Sequence, residues 1–173
     1  LLMLDEVQTG LGRTGEWFGF QHEGVRPDVV TLAKALGNGM PIGACWARDA
    51  VAAAFAPGDH GTTFGGQPLA AAAARATLAV MEAEDVPARA RRAGARLTEG
   101  LTVLAGVASV RGRGLLLAAE LIDRPATDVA GAALAAGLVI NAVTPSAIRL
   151  APSLLVTDDE IDEALAVLGA ILS

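Results

Sequence analysis

Two apolar runs near the start of the chain indicate its fold class: LLML at residues 1–4 and VVTLA at residues 29–33. A strand, a compact crossover and a second strand within about 30 residues are typical of a parallel pair in an α/β sheet. Asp5 directly follows the first run, and Lys34 directly follows the second. Because open α/β sheets place their ligand sites at the carboxyl ends of strands, both side chains are candidates for a functional site.

The composition favours a globular protein in which helices pack on a sheet. The 173 residues are 53% hydrophobic but only 3% aromatic, with no Tyr, which argues against a β-sandwich. The formal net charge of -6 argues against nucleic acid as a partner, because phosphate binding requires a basic patch. The densest basic segment, from Arg75 to Arg96, has a helical pattern and is interpreted as a solvated helix face.

The single cysteine and the hydropathy pattern limit the kinds of site and the cellular compartment that we expect. Cys45 alone excludes an internal disulfide and a cysteine-based zinc cluster, which suits a reducing cytoplasm, and its apolar surroundings predict a buried thiol. Neither histidine, His22 or His60, has a partner at metal-ligand spacing, so no metal site is expected. No apolar run approaches the roughly 20 residues needed to span a bilayer, so no membrane partner is expected.

The remaining pattern predicts alternating helices and strands with a boundary near residue 86. The chain begins inside a strand, so we expect it to be the C-terminal part of a longer polypeptide. The predicted strands are at 1–4, 29–33, 44–47, 108–111, 115–121, 138–141 and 147–151. The predicted helices are at 16–22, from Asp49 to about residue 57, at 68–84, from Pro87 onwards, at 128–136 and at 158–172.

One motif in the opening loop suggests dinucleotide binding. GLGRTG at residues 10–15 matches G-x-G-x-x-G, and Asp28 follows at a suitable distance, as in NAD-dependent dehydrogenases. In that fold, however, the first glycine comes directly after the strand and the acidic residue ends the second strand. Here several residues separate the strand from Gly10, and Asp28 precedes the second strand. An NAD-binding dehydrogenase is kept as an alternative from a different enzyme class.

The pairing of Asp5 with Lys34 fits a different chemistry. A lysine at a strand end in a glycine-rich cleft is placed for Schiff-base formation, because desolvation and neighbouring groups favour the nucleophilic neutral amine. A carboxylate beside a pyridine nitrogen keeps that ring protonated, as pyridoxal phosphate sites require. From the residues alone, Lys34 could equally be a surface lysine, and Asp5 a loop cap.

Four blocks of the sequence resemble, in order, the signature segments of the class III, or ω-amino acid, aminotransferases. They are DEVQTGLGRTG (5–15), PDVVTLAKALGNGMPIGA (27–44), HGTTFGGQPLA (60–70) and AIRLAPSL (147–154). The resemblance implies an α/β, fold-type I pyridoxal phosphate enzyme. Residues 1–86 would be the C-terminal part of its mostly parallel-sheet, cofactor-binding large domain, and residues 87–173 its small α+β C-terminal domain. Family members are longer, so this segment alone would be inactive.

The same resemblance implies an activity. GMPIGAC (39–45), VINAVTP (139–145) and IRLAPSL (148–154) are similar to the acetylornithine group of the family. The expected reaction moves an amino group between N-acetylornithine and 2-oxoglutarate, as part of arginine biosynthesis in the cytoplasm. Ornithine, 4-aminobutyrate and succinyl-diaminopimelate remain alternative substrates, and a catalytically inactive fragment remains an alternative to an enzyme.

Roles for individual residues also follow from the resemblance. Asp5 would pair with the pyridine nitrogen of pyridoxal phosphate, Val7 would pack on the ring face, and Gln8 would bond the phenolic oxygen. Lys34 would bind the cofactor as a Schiff base and then, once released, transfer the substrate proton. From the residues alone, Val7 could instead be a core side chain, and Gln8 could serve the backbone of its loop.

Two further residues carry substrate and partner expectations. Thr63 would reach the cofactor phosphate of a neighbouring subunit, which implies a homodimer, although Thr62 could make that contact instead. Arg149 would bind the carboxylate of the amino-acid or 2-oxo acid substrate, since a partly buried guanidinium requires an anion. A structural Asp or Glu could also supply that anion. Glu6 and Arg13 are interpreted as loop-stabilising residues.

Overall fold

Two β-sheets, each with its own helices, make up the computed structural model, which describes residues 1–173. The chain divides into two compact units. The first contains residues 1–12 and 16–86, and the second contains residues 13–15 and 87–173. The functional roles expected of the parts before and after residue 86 stay predictions.

Three short strands form the sheet of the first unit. They are β1 (Met3–Asp5), β2 (Val29–Leu32) and β3 (Ala44–Ala47), in the order β1-β2-β3. The β-branched residues of β2 suit its central position, and β2 runs parallel to β1, with Asp5 opposite Thr31. The predicted parallel pair is therefore confirmed, whereas β3 runs antiparallel to β2.

The burial predicted for the Cys45 thiol is wrong, and the first apolar run is exposed as well. Leu1 and Met3 are 90% and 68% exposed, and Cys45 on β3 is exposed as well. Each of these strands pairs with β2 alone, so its other edge and much of its side-chain surface have no neighbour in the chain. Val30, on the central strand, is 2% exposed, as a strand with neighbours on both sides should be.

The helices of the first unit follow their local sequence signals with two corrections. The predicted helix at 16–22 is a short 3₁₀ helix, Gly19–Glu23, and the helix predicted from Asp49 to about residue 57 is shorter, because α1 spans only Asp49–Ala52. Helix α2 (Pro68–Ala83) begins at its proline, which lacks the N–H that a first turn leaves unbonded. It buries small residues and one methionine: Ala70, Ala74 and Met81.

An antiparallel sheet packed with three helices forms the second unit, which is the α+β arrangement expected. The sheet order is β4-β5-β7-β6. Its core includes side chains that are less than 2% exposed: Leu101, Leu115, Ile148, Ile161 and Leu168. The elements are α3 (Val86–Thr102), β4 (Val107–Arg113), β5 (Leu116–Leu121), α4 (Ala126–Ala135), β6 (Asn141–Ala142), β7 (Ala147–Leu150) and α5 (Asp158–Leu172).

The arginine-rich helix α3 has the solvated face that its pattern indicates. Arg91, Arg92 and Arg96 are exposed, whereas Leu97 and Leu101 are buried in the core. None of the α-helices combines the length with the apolar character that crossing a membrane would require.

A capping box at the start of α5 gives the first testable prediction. The Thr157 hydroxyl accepts from Glu160 N at 3.3 Å, and the Glu160 carboxylate accepts from Thr157 N at 2.8 Å. Replacing Thr157 with alanine should lower the free energy of unfolding by about 1 kcal/mol at neutral pH, measured by urea denaturation of the full polypeptide. Thr144→Ala, an exposed change outside any helix, is the matched control.

The same box fixes the sign of a pH dependence. Hydrogen bonds from Thr157 hold the pKa of Glu160 below its ordinary value. The stabilisation is therefore complete above the unfolded-state pKa and is lost as pH falls through the folded-state pKa. The difference between wild type and Thr157→Ala should shrink in acid, and a difference that grows in acid would contradict this account.

Candidate active site

Asp5 lies at the end of β1 and uses its two carboxylate oxygens differently. Oδ1 accepts a hydrogen bond from Val7 N at 2.9 Å, so the loop-cap interpretation is correct for that oxygen. Oδ2 has no hydrogen-bond partner within the chain, and the side chain is exposed. One oxygen of Asp5 therefore shapes the loop, and the other is available to a ligand. Val7 itself is half-buried.

Lys34 follows β2 in an uncommon backbone conformation. Its φ of 46° lies in the left-handed region, which costs a non-glycine residue about 1 to 3 kcal/mol and occurs preferentially at functional sites. Its amine donates a hydrogen bond to Oε1 of Gln8 at 3.3 Å. Lys34 forms no ion pair with any carboxylate of the chain, so its amine is held by a neutral and readily replaced partner.

The parallel pairing of β1 and β2 brings these residues to one edge of the sheet. Asp5 is in register with Thr31, and the ladder continues one residue further through Glu6 N and Thr31 O at 3.0 Å. Lys34 follows Thr31 by three positions, and Gln8 follows Asp5 by three. The carboxyl ends of β1 and β2 thus lie at the same edge of the sheet, and Gln8 and Lys34 follow them there.

A buried acid supports the loop that carries Val7 and Gln8. The Glu6 side chain is 4% exposed and accepts hydrogen bonds from Gly19 N and Phe20 N, both at 2.9 Å. It also accepts from the Thr9 hydroxyl at 2.6 Å. The expectation that Glu6 stabilises the loop is confirmed.

Arg13 stabilises its part of the loop through backbone carbonyls. Its guanidinium donates to Leu115 O at 3.1 Å and to Pro152 O at 2.7 Å, within the second unit. Burial lowers the pKa of Arg13 from its ordinary value, and the two carbonyls replace part of the hydration that the cation loses. The expected loop-stabilising role of Arg13 is therefore confirmed.

The two threonines of the HGTTFGG loop differ in their hydrogen bonding. The Thr62 hydroxyl accepts from Gly65 N at 3.1 Å, and a Cβ at Gly65 would come within 2.2 Å of the Thr62 methyl group. Thr63 is exposed, and its hydroxyl makes no hydrogen bond within the chain, including none to Asp5, Gln8 or Lys34. Thr63 is thus the threonine with an uncommitted hydroxyl.

Arg149 lies on β7 in the second unit, between the buried residues Ile148 and Leu150. One terminal nitrogen donates to Oδ1 of Asn141 at 3.2 Å, whereas its buried Nε has no hydrogen-bond partner. No Asp or Glu forms an ion pair with Arg149, so the structural carboxylate considered from sequence is absent. A buried N–H donor without a partner is costly, and an anionic ligand could satisfy it.

Asn141 is a site residue that sequence reasoning missed. It faces Arg149 across the antiparallel pair of β6 and β7 and orients the guanidinium. Asn141 could be recognised only from the register between β6 and β7, and the hydrophobic pattern of two such short strands does not determine that register. No group of three or more His, Cys, Asp and Glu side chains is arranged to hold a metal ion.

The dinucleotide-binding alternative lacks its structural context. The glycine loop at residues 10–15 does not open a helix, since the next helical turn is the 3₁₀ segment Gly19–Glu23. Asp28 is also occupied, because it accepts from Leu2 N at 2.8 Å and pairs with Arg48 at 3.4 Å. In a Rossmann fold, the glycine motif instead follows the strand directly, and its last glycine packs at the start of the crossover helix.

A family model decides between the remaining interpretations. The model described as aminotransferase class-III matches residues 1–172. The chain belongs to the class-III aminotransferase family. The fold-type I assignment and the family resemblance are thereby confirmed, and the structural similarities agree with both.

Similar proteins include an acetylornithine aminotransferase of Corynebacterium efficiens, 53% identical over 173 residues. The match covers 100% of this chain but 43% of that protein, so the chain spans less than half the length of this relative. The solved acetylornithine aminotransferase of Elizabethkingia anophelis matches with a TM-score of 0.91 and 36% identity, over 99% of this chain and 45% of that one.

A second solved structure is the ornithine aminotransferase of Toxoplasma gondii crystallised with oxidised glutathione. Its TM-score is 0.91 at 36% identity, over 99% of this chain and 42% of that one. In that protein, PLP partially occupies the active site.

Proposed function

We propose that the protein is a pyridoxal phosphate-dependent aminotransferase that moves an amino group between N-acetylornithine and 2-oxoglutarate. The observation that carries the proposal is the placement of Lys34. The backbone of Lys34 has a strained left-handed conformation at the sheet edge that also bears Asp5 and Gln8. Its amine forms no ion pair and donates a hydrogen bond to Gln8. The names of the relatives supply the substrate, and arginine biosynthesis is the corresponding pathway.

The donor set at this edge fits pyridoxal phosphate. When bound, this cofactor supplies an aldehyde that condenses with amines and a pyridine ring that accepts electrons. Such a group needs a nucleophilic amine, an acid for the ring nitrogen and a polar partner for the ring oxygen. Lys34, the free oxygen of Asp5 and the Gln8 amide meet those needs, and the half-buried Val7 offers an apolar surface for the ring face.

Lys34 has two roles in this proposal. Its amine would bind the cofactor aldehyde until a substrate amine replaces it, and the released amine would then move the proton of the carbon that bears the transferred amino group. The weak contact with Gln8 favours this double use, because a neutral amide partner releases an amine more readily than a buried carboxylate would. The free Oδ2 of Asp5 would accept a hydrogen bond from the ring nitrogen and so favour its protonated form.

Arg149 binds the carboxylate of the substrate in this proposal, and it yields the second prediction. Arg149→Lys should raise the KM for 2-oxoglutarate about 10- to 100-fold and change kcat much less, because a lysine cannot donate the planar pair of hydrogen bonds. Steady-state kinetics with varied 2-oxoglutarate measures this. Arg111→Lys, an exposed change on the same sheet, is the control, and an unchanged KM in Arg149→Lys would oppose the assignment.

A homodimer is part of the proposal, with Thr63 reaching the cofactor phosphate of the partner subunit. Support comes from the uncommitted Thr63 hydroxyl and from the neighbouring Phe64, which is 76% exposed and suits an interface. Light scattering of the full polypeptide should return twice its monomer mass. We also place the protein in the cytoplasm, in keeping with its single free cysteine.

One experiment tests the function directly. The full polypeptide is loaded with pyridoxal phosphate, reduced with borohydride and digested, and the labelled residue is located by mass spectrometry. Label on Lys34 is the expected result, whereas label on another residue, or no label, would contradict the proposal and favour an inactive chain. A panel of amino donors with 2-oxoglutarate then fixes the substrate. Preference for ornithine, 4-aminobutyrate or succinyl-diaminopimelate over N-acetylornithine would overturn the substrate assignment alone.

A further inference from the structure

Glu6 does more than stabilise its loop: we propose that it is a positioning residue, which sets the direction of the Gln8 side chain at the cofactor ring. This inference rests on the proposed function, since it assumes that Gln8 bonds the ring oxygen. Glu6 stands between Asp5 and Val7 in sequence, yet its side chain is buried and bonds to Thr9, Gly19 and Phe20. Its effect must therefore act through the residues it holds.

Three donors converge on the Glu6 carboxylate from two parts of the chain. Oε2 accepts from the Thr9 hydroxyl at 2.6 Å and from Gly19 N at 2.9 Å, and Oε1 accepts from Phe20 N at 2.9 Å. The Thr9 bond spans Val7 and Gln8, so it closes a small ring of chain around them. The two backbone bonds anchor that ring to the start of the 3₁₀ helix Gly19–Glu23.

The backbone of Glu6 is fixed as firmly as its side chain. Its N–H donates to Thr31 O of β2 at 3.0 Å, and its carbonyl accepts from Gly10 N at 3.0 Å. Gln8 is thus enclosed in a turn from Glu6 to Gly10, whose first residue is bonded to the strand that leads to Lys34. The 3.3 Å separation of Gln8 Oε1 and Lys34 Nζ depends on this turn.

Close packing around the turn leaves little freedom for a different loop conformation. A Cβ placed on Gly19 would lie 3.2 Å from each carboxylate oxygen of Glu6. A Cβ placed on Gly10 would lie 2.8 Å from the carbonyl oxygen of Glu6. Gly19 thus lets its segment approach the Glu6 carboxylate, and Gly10 lets its segment approach the Glu6 carbonyl, more closely than a side chain would allow. A bulkier residue at either position would displace the turn.

The three donors require an acceptor without protons of its own. An ionised carboxylate only accepts, whereas the amide of glutamine turns an NH₂ group towards at least one of the Gly19, Phe20 or Thr9 donors. Glu6→Gln thus preserves the volume of the side chain but places its NH₂ group against a donor from which the carboxylate had accepted a hydrogen bond. We expect the turn to shift and Gln8 to leave its position.

The test is a double-mutant cycle on cofactor binding by the full polypeptide. Glu6→Gln should weaken pyridoxal phosphate binding about 10- to 100-fold, comparable to Gln8→Ala, as measured by equilibrium titration of visible absorbance. The double variant should bind no more than about threefold weaker than Gln8→Ala alone, because the two residues act as one unit. Glu99→Gln, an exposed charge-matched change on α3, is the control.

Hydrogen exchange of the cofactor-free protein gives a second readout. Glu6→Gln should speed exchange of the Gly19 and Phe20 amides at least about tenfold, while amides of the second-unit core stay protected. Multiplicative losses in the double variant, or unchanged exchange at Gly19 and Phe20, would overturn the inference. If wild-type protein binds no pyridoxal phosphate, the proposed function fails instead, and the exchange result still decides whether Glu6 holds the turn.

Discussion

Replacing Lys34 with alanine should reduce transamination at least about 10³-fold and remove the borohydride label from the protein. Both effects follow from the loss of one amine, which we propose both as the covalent attachment point and as the group that moves the proton of the carbon bearing the transferred amino group. Rapid-mixing absorbance measurements with glutamate, on protein saturated with pyridoxal phosphate, would show the loss in a single half-reaction.

Lys34→Gly separates the loss of chemistry from a loss of stability. Glycine adopts the φ of 46° without strain, so this variant should be as inactive as Lys34→Ala yet unfold at the same or a higher urea concentration. Lys34→Arg, which keeps a positive charge but no nucleophilic amine, should also be inactive. Substantial turnover in any of the three would remove Lys34 from the mechanism.

Asp5→Asn should lower kcat/KM about 10²- to 10³-fold while leaving the loop intact. Asparagine retains an oxygen that can accept from Val7 N, so the cap survives and only the negative charge that we propose for the ring nitrogen is lost. Steady-state kinetics with N-acetylornithine measures the loss, and urea denaturation shows whether stability is kept.

The control for Asp5 is Asp49→Asn, at the exposed start of α1, where the side chain makes no capping bond. It should leave kcat/KM within about twofold of wild type, as expected of an exposed side chain that makes no hydrogen bond of its own. Equal effects of the two substitutions would mean that general electrostatics, and not a contact of Asp5, accounts for the loss.

Local sequence signals predicted most of the elements because they depend on nearby residues. The run VVTLA specified β2, and Pro68 marked the start of α2. The exposure of Leu1 and Cys45 could not be predicted in this way, since it depends on which strands have partners on both sides.

The candidate site was predictable in its residue types but not in its internal contacts. The positions of Asp5 and Lys34 followed from strand ends, whereas the hydrogen bond from Lys34 to Gln8 depends on a left-handed turn that no propensity favours for lysine. The partners of Arg13 are 102 and 139 positions away, beyond any local pattern. Contacts of that kind are determined by tertiary packing.

The divided use of the Asp5 carboxylate has an entropic consequence. Since Oδ1 is already bonded to Val7 N, the plane of the carboxylate is set before any ligand arrives. Immobilising a mobile side chain on binding costs about 0.5 to 1.5 kcal/mol, and here folding has already restricted that motion. The free oxygen would therefore meet the proposed ring in a preorganised direction, so that a larger share of the interaction energy would remain as affinity.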